Sequence, residues 1–261
     1  MKNTTFTLNP IGIVHSPIAK TNLMPKIGIP EAKIEIFEEY IPALHGLDKF
    51  SHIYLMCFFH QSDRTVLQLD EDKIKFKYSG CDEPPRGVFC GRSPVRPNPV
   101  SLTVVKIRSI NGNIIEIENC DAIDGTPVID IKAYNPGSDS FMNVDSLSMF
   151  PKNKDLRLKW ICRTIKNVTG KEDHLTLKIA HIFMDAFSRG FDYRQKDISI
   201  KVSNIPELID SAMFLAGASF SSGRISIENN SEFHIRFQKD SKILMYSLAD
   251  DIDEYDGSFD N

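Results

Sequence analysis

The chain has 261 residues, with 31 Lys and Arg against 35 Asp and Glu and a formal charge of −4 at pH 7. At about 100–200 residues per domain, that length allows one large domain or two modest ones. A composition of 41% hydrophobic and 25% charged residues excludes wholesale disorder, collagen-like structure and a highly basic nucleic-acid binder, so any contact with phosphate needs a local basic patch. No apolar run approaches the roughly 20 residues of a membrane span, and residues 1–5 carry no signal-peptide core. Five cysteines (Cys57, Cys81, Cys90, Cys120, Cys162) without a CxxC pair predict reduced thiols in a cytoplasmic protein.

From residue 8 to about 134 the chain reads as short β-runs, clearest over 11–14, 32–37, 51–59, 101–110 and 113–118. The alternation of Ile34 and Ile36 with Glu35 and Phe37 is that of a half-buried strand. Asn111-Gly112 predicts a tight I′ hairpin turn. Residues 40–47 read as a short helical interruption. Many short strands with turn signals favour a barrel or sandwich. A breaker cluster, NPGSDS at 135–140, is the best linker candidate. The predicted division is therefore 1–137, a mainly β domain, and 138–249, a smaller α+β domain.

In that second region a helix is predicted over 174–189 with Gly190 as its stop, then a strand over 196–202. A helix over 205–216 follows, with Ser203 or Asn204 available as cap. Runs at 223–228, 233–237 and 243–248 suggest a small meander. Residues 250–261 read as an acidic, solvated and disordered tail.

The most unusual segment is GVFCGRSPVRPNPVS at 87–101. Its prolines Pro94, Pro97 and Pro99 remove donors and fix φ, which makes it a rigid loop rather than a central strand. Arg92, Ser93, Arg96 and Asn98 project from it, a set suited to a carboxylate or phosphate. A solvated turn with salt-bridged arginines is the other reading. Asp130 and Lys132, at alternate positions after a DGTP turn at 124–127, are either an exposed strand face, the preferred reading, or an inward pair lining a pocket. His60, closing an apolar strand beside Gln61, reads as an ordinary strand-end residue. No GxGxxG or GxxxxGK[ST] loop and no HExxH pattern is present, which disfavours Rossmann redox enzymes and P-loop NTPases.

In order, IGIVHSP (11–17), LHGLDKFSH (44–52), FHQ (59–61), the 87–99 loop and DAIDGTPVIDIK (121–132) resemble the TrmO family, also called TsaA-like, over residues 8–136. The resemblance implies a compact, dimeric β-barrel that binds S-adenosylmethionine outside any Rossmann framework. It also implies methylation of the exocyclic nitrogen of threonylcarbamoyladenosine beside the tRNA anticodon, by a homodimer in the cytoplasm with no membrane contact. By motif position, cofactor contacts fall on Pro25, Lys26, Ile27, His60, Gln61, Arg92, Leu102, Ala122, Ile123, Asp124 and Gly125. Arg96 and Asn98 are the candidates for the acceptor's carboxylate or phosphate. The catalytic base is left open, as are a small-molecule acceptor and a non-catalytic sensor. Two departures mark the loop: Cys90-Gly91 stands where Ala-Thr is usual, and Ser101 where Gly is usual. Residues 174–225 resemble a second family, the FmdE-like domain of formylmethanofuran dehydrogenase. At its metal-binding cysteine positions this chain has Thr176, Glu207 and Ala218, so no metal site is expected. His174, Glu207 and Asp210 are the residues left for a weaker one.

Overall fold

The structure is a computed structural model that describes residues 7–24, 30–70, 76–78, 86–140, 149–151, 153–191, 196–229 and 232–247. The acidic tail at 250–261 and the candidates Pro25, Lys26 and Ile27 lie outside the described residues. In chain order the strands are β1 Gly12–His15, β2 Ala32–Ile36, β3 His52–Cys57, β4 Gln68–Leu69, β5 Phe76–Tyr78, β6 Arg86–Gly87, β7 Thr103–Asn111, β8 Ile114–Glu118, β9 Thr126–Ala133, β10 Met149–Pro151, β11 Ile198–Ser203, β12 Ile225–Glu228, β13 His234–Lys239 and β14 Lys242–Ser247. The helices are α1 Pro136–Asp139, α2 Lys154–Thr169, α3 His174–Ser188 and α4 Pro206–Ala216.

The chain divides into two units, residues 1–74 with 83–140, and residues 75–82 with 141–261. The first unit reaches slightly past the expected boundary at 137. The short excursion 75–82 belongs to the second unit because β5 pairs antiparallel with β10. The breaker cluster is not bare linker. Asn135 accepts from Gly137 N at 3.0 Å and caps the one-turn helix α1.

In the first unit six strands close a barrel in the order β1-β2-β8-β7-β3-β9, each neighbouring pair antiparallel. Alternation aims one face of every strand inward. Val14, Ile34, Ile36, Ile53, Leu55, Val105, Ile115, Ile117 and Val128 are each at most 1% exposed. Each such side chain contributes about 1.5–3 kcal/mol of apolar burial. Gly12 is required where β1 crosses β2, because a Cβ there would lie 2.3 Å from the Glu35 carbonyl oxygen.

Two local expectations change. Asn111 pairs with Ile114, so the hairpin loop is Gly112-Asn113. Only Gly112 has positive φ (60°), the signature of a II′ turn with Gly first rather than I′. The interruption predicted at 40–47 is two 3-10 turns, Glu38–Leu44 and Leu47–Lys49. Pro42 inside the first and Gly46 at φ 82° before the second prevent one continuous helix.

The second unit has α2, α3 and α4 with a four-stranded sheet ordered β12-β11-β13-β14. Its core joins Ile161, Ile165, Ile179, Phe183, Leu208 and Phe237, with Phe183 meeting Phe237 edge-to-face at 5.3 Å. The predicted meander is incorrect. β12 runs parallel to β11, and α4 is the connection a parallel pair requires. Helix α2 has no counterpart in the sequence expectations, although Asn153 caps it and Gly170 stops it at φ 72°. The expected cap of α4 is also absent, since Ile205 stands at its N-cap and makes no side-chain bond. Ser203 is engaged elsewhere, with its Oγ 2.9 Å from His234 Nδ1 and 2.6 Å from the Glu232 carbonyl. His234 Nε2 in turn lies 2.6 Å from Glu228 Oε2. That serine–histidine–carboxylate string is a sheet lock rather than a nucleophile, because Ser203 is 0% exposed and its Oγ also receives the His234 N–H.

Candidate functional site

The barrel's hydrogen bonding gathers the candidate segments at one end. β3 runs out at Cys57, and the proline loop returns antiparallel against its extension. Phe59 N donates to Pro99 O at 2.8 Å and Ser101 N to Cys57 O at 2.8 Å. Cys57 N donates to Ser101 Oγ at 2.9 Å. The hydroxyl that distinguishes Ser101 from glycine is therefore buried and closes the splice. On the other side Phe58 N donates to Pro127 O at 3.0 Å, which ties in the segment 120–127. That segment is further pinned by Thr103 Oγ1 to Asp121 Oδ1 at 2.7 Å and by Gly125 N to Val14 O at 2.9 Å. His60-Gln61, the loop 91–100 and residues 122–125 thus share one hydrogen-bonded framework.

Within it the candidates differ in what they offer. His60 and Gln61 are exposed, and their side-chain nitrogens lie 3.3 Å apart. Arg92 is exposed and, among the described residues, makes one long 3.5 Å contact from Nη1 to the Leu102 carbonyl, which leaves its guanidinium facing outward. Leu102 is itself 44% exposed. Ala122 and Ile123 are buried and have backbone groups to contribute, whereas Asp124 and Gly125 are exposed. Asp124 also accepts from Ser16 N at 3.0 Å, which fixes one carboxylate oxygen.

Arg96 is placed differently from the sequence expectation. Its Nε donates to Ser93 O at 2.7 Å and its Nη2 to Val88 O at 2.8 Å and to Gly91 O. Half-buried, it folds the loop around itself. Asn98 remains exposed. Arg64, which the sequence did not single out, supports the loop from outside by donating to Pro97 O at 3.0 Å over the Phe58 ring.

A groove of about 330 Å³ lies along His15, Ser16, Glu31, Lys33, Arg108 and Asp124. It shares Asp124 with the framework, and in it Arg108 pairs with Glu31 at 2.7 Å and Lys33 with Glu116 at 3.0 Å. The Lys33 bond holds the Glu116 carboxyl below the usual range. Burial raises the thiols, Cys120 to about 12 and Cys57 further, which leaves both unsuited to nucleophilic chemistry. Among the described residues no group of three or more His, Cys, Asp or Glu gathers to hold a metal, and no helix is long and apolar enough to cross a membrane.

The family match falls on this unit. Residues 13–140 match the tRNA-methyltransferase O N-terminal domain. A probable S-adenosyl-L-methionine-binding protein of Methanothermobacter thermautotrophicus is 38% identical over 143 residues, 54% of this chain and 98% of that protein. The tRNA (adenine(37)-N6)-methyltransferase of Mus musculus is 36% identical over 115 residues, 42% of this chain but 24% of the mouse protein. A crystal structure of TrmO from Pseudomonas aeruginosa aligns at 26% identity and TM-score 0.43, over 54% of this chain and 62% of that one. Through its barrel, this chain belongs to the tRNA-methyltransferase O N-terminal domain family.

Proposed function

We propose that this protein is an S-adenosylmethionine-dependent methyltransferase acting on tRNA, and that its acceptor is the exocyclic nitrogen of threonylcarbamoyladenosine next to the anticodon. The names of the relatives support cofactor and reaction class. The observation that carries the reading is the splice between β3 and the proline loop, which holds exposed Arg92 and exposed His60-Gln61 on one rigid framework. Such a donor set fits the cofactor: a guanidinium for the methionine carboxylate, and carboxylate and backbone groups at 122–125 for the adenosyl part.

The cofactor supplies an activated methyl group on a sulfonium. Bound there, it would allow in-line displacement at the methyl carbon, with S-adenosylhomocysteine as the leaving thioether and the acceptor nitrogen's proton passing to solvent. Alignment and exclusion of water dominate such a step. Arg92 would orient the cofactor's carboxylate, Asp124 and Gly125 would border the adenosyl group, and Arg96 would hold the shape of the loop that carries Arg92. Exposed Asn98 is left as the loop's candidate for the acceptor.

The second unit is best read as an FmdE-like fold whose former ligand positions have become structural. Thr176 completes a capping box with Asp173, Glu207 pairs with Lys171, and Ala218 is buried. A cytoplasmic homodimer is part of the same proposal. Calorimetry with S-adenosylmethionine, followed by nucleoside mass spectrometry of treated tRNA, tests it. Cofactor binding without a methylated nucleoside in tRNA would move the assignment to a small-molecule acceptor or a sensor.

A further inference from the structure

The outer face of the barrel across β7, β3 and β9 carries an array that the cofactor site does not use. In an antiparallel sheet directly paired residues point to the same side. His52 pairs with Lys106 of β7, and Tyr54 with Lys132 of β9. Tyr134, whose N–H donates to the His52 carbonyl at 3.1 Å, completes the first row. The buried alternates Ile53 and Leu55 place these residues on the outside. The result is two rows, Lys106–His52–Tyr134 and Tyr54–Lys132, in which every lysine stands next to an aromatic ring.

The rings form one strip. Tyr54 meets Tyr134 edge-to-face at 5.5 Å, and Tyr134 meets His52 at 6.5 Å. The Tyr54 hydroxyl is pushed above its ordinary range, first by partial burial and then by Asp139 and Tyr134, with Arg92 opposing. Lys132 pairs with Asp130 at 2.5 Å and Lys106 with Glu118 at 3.5 Å, with lysine side chains 62% and 50% exposed. Exposed pairs of this kind are worth little and exchange readily for a phosphate.

We propose that this face docks a single-stranded RNA loop, with bases stacked on Tyr54 and Tyr134 and phosphates met by Lys106 and Lys132. The proposal rests on the tRNA reading above and names the surface that presents the acceptor. Aromatic platforms interleaved with cations are the chemistry of single-stranded nucleic-acid sites. A second copy of this chain is the poorer occupant, because interfaces between protein copies are depleted in lysine at their centre.

The test compares the full chain with Tyr54→Leu/Tyr134→Leu and Lys106→Gln/Lys132→Gln, using fluorescence anisotropy with tRNA at several salt concentrations and calorimetry with S-adenosylmethionine. The tyrosine variant should bind tRNA at least tenfold more weakly, and Tyr54→Phe, which keeps the ring, should bind like wild type. The lysine variant should flatten the slope of log K against log salt by about 1.4, at about 0.7 for each phosphate that a lysine no longer neutralises. Cofactor affinity should stay unchanged in each. Wild-type tRNA affinity in both double variants overturns the docking surface and leaves the methyltransferase reading standing. A changed sedimentation coefficient with tRNA affinity intact assigns the face to a second copy and overturns it equally. Absence of tRNA binding by the wild type, with cofactor bound, overturns the tRNA reading and this surface with it.

Discussion

Arg96 reaches back eight residues to Val88, donating Nη2 to its carbonyl oxygen at 2.8 Å while Nε holds Ser93 O at 2.7 Å. Arg92, four residues earlier in the same loop, makes one long contact among the described residues. Two arginines of one motif therefore have opposite tasks, one building the loop and one facing outward from it.

That contrast separates the two substitutions. Arg92→Ala should leave the urea midpoint unchanged and weaken S-adenosylmethionine binding at least tenfold by calorimetry. Arg96→Ala should lose about 2 kcal/mol of stability, as expected for charge-assisted hydrogen bonds, and weaken cofactor binding as a consequence. Arg96→Lys should rescue little, because one ammonium cannot span the Val88, Gly91 and Ser93 carbonyls. Equal stability loss in both alanine variants contradicts the division of roles.

Ser101→Ala removes the acceptor of the buried Cys57 N–H. A loss of about 1–3 kcal/mol is expected, the cost of a buried donor left without its partner. Chemical denaturation measures it, and faster amide exchange at residues 57–59 should accompany it.

Gly12→Ala sets a new Cβ 2.3 Å from the Glu35 carbonyl oxygen, a backbone atom that cannot turn aside. Forcing β1 and β2 apart should cost about 1–3 kcal/mol. A thermal midpoint equal to wild type would show that the strand crossing is looser than described.

Asp173 provides a pH test in the second unit. Its carboxylate is held below the ordinary 3.8, first by the backbone N–H of Thr176. A carboxyl whose folded pKa is depressed adds stability that is present above the unfolded value and disappears as pH falls through the folded one. Stability should therefore decline below about pH 3.8 more steeply in wild type than in Asp173→Asn, which keeps a capping oxygen without a charge. Parallel melting curves over that range would show that the cap's charge is irrelevant.

The barrel was legible because its strands alternate. Ile34 and Ile36 against Lys33 and Glu35 state which face is inside, and the proline spacing at 94, 97 and 99 states where a strand cannot run. The turn at Gly112 was off by one residue because Asn-Gly and Gly-Asn both punctuate a hairpin, and register alone chooses between them. Helix α2 was missed because Leu158, Ile161 and Ile165 are diluted by Lys154, Arg157, Lys159, Arg163 and Lys166, so the stretch reads as polar although both its caps are present. The parallel β11–β12 pair was not visible, since adjacency in sequence favours a meander until the helix between the strands is seen to cross over. At the site, Arg96 and Arg92 look alike as letters. Only the carbonyls around Arg96 distinguish the loop-building arginine from the outward-facing one.

The central claim is tested most directly by incubating the full chain with methyl-labelled S-adenosylmethionine and tRNA carrying threonylcarbamoyladenosine, then digesting the tRNA to nucleosides for mass spectrometry. The expected result is that threonylcarbamoyladenosine gains one labelled methyl group, and that Arg92→Ala abolishes the gain. Label that never enters any tRNA nucleoside, with the cofactor shown to bind, would contradict it.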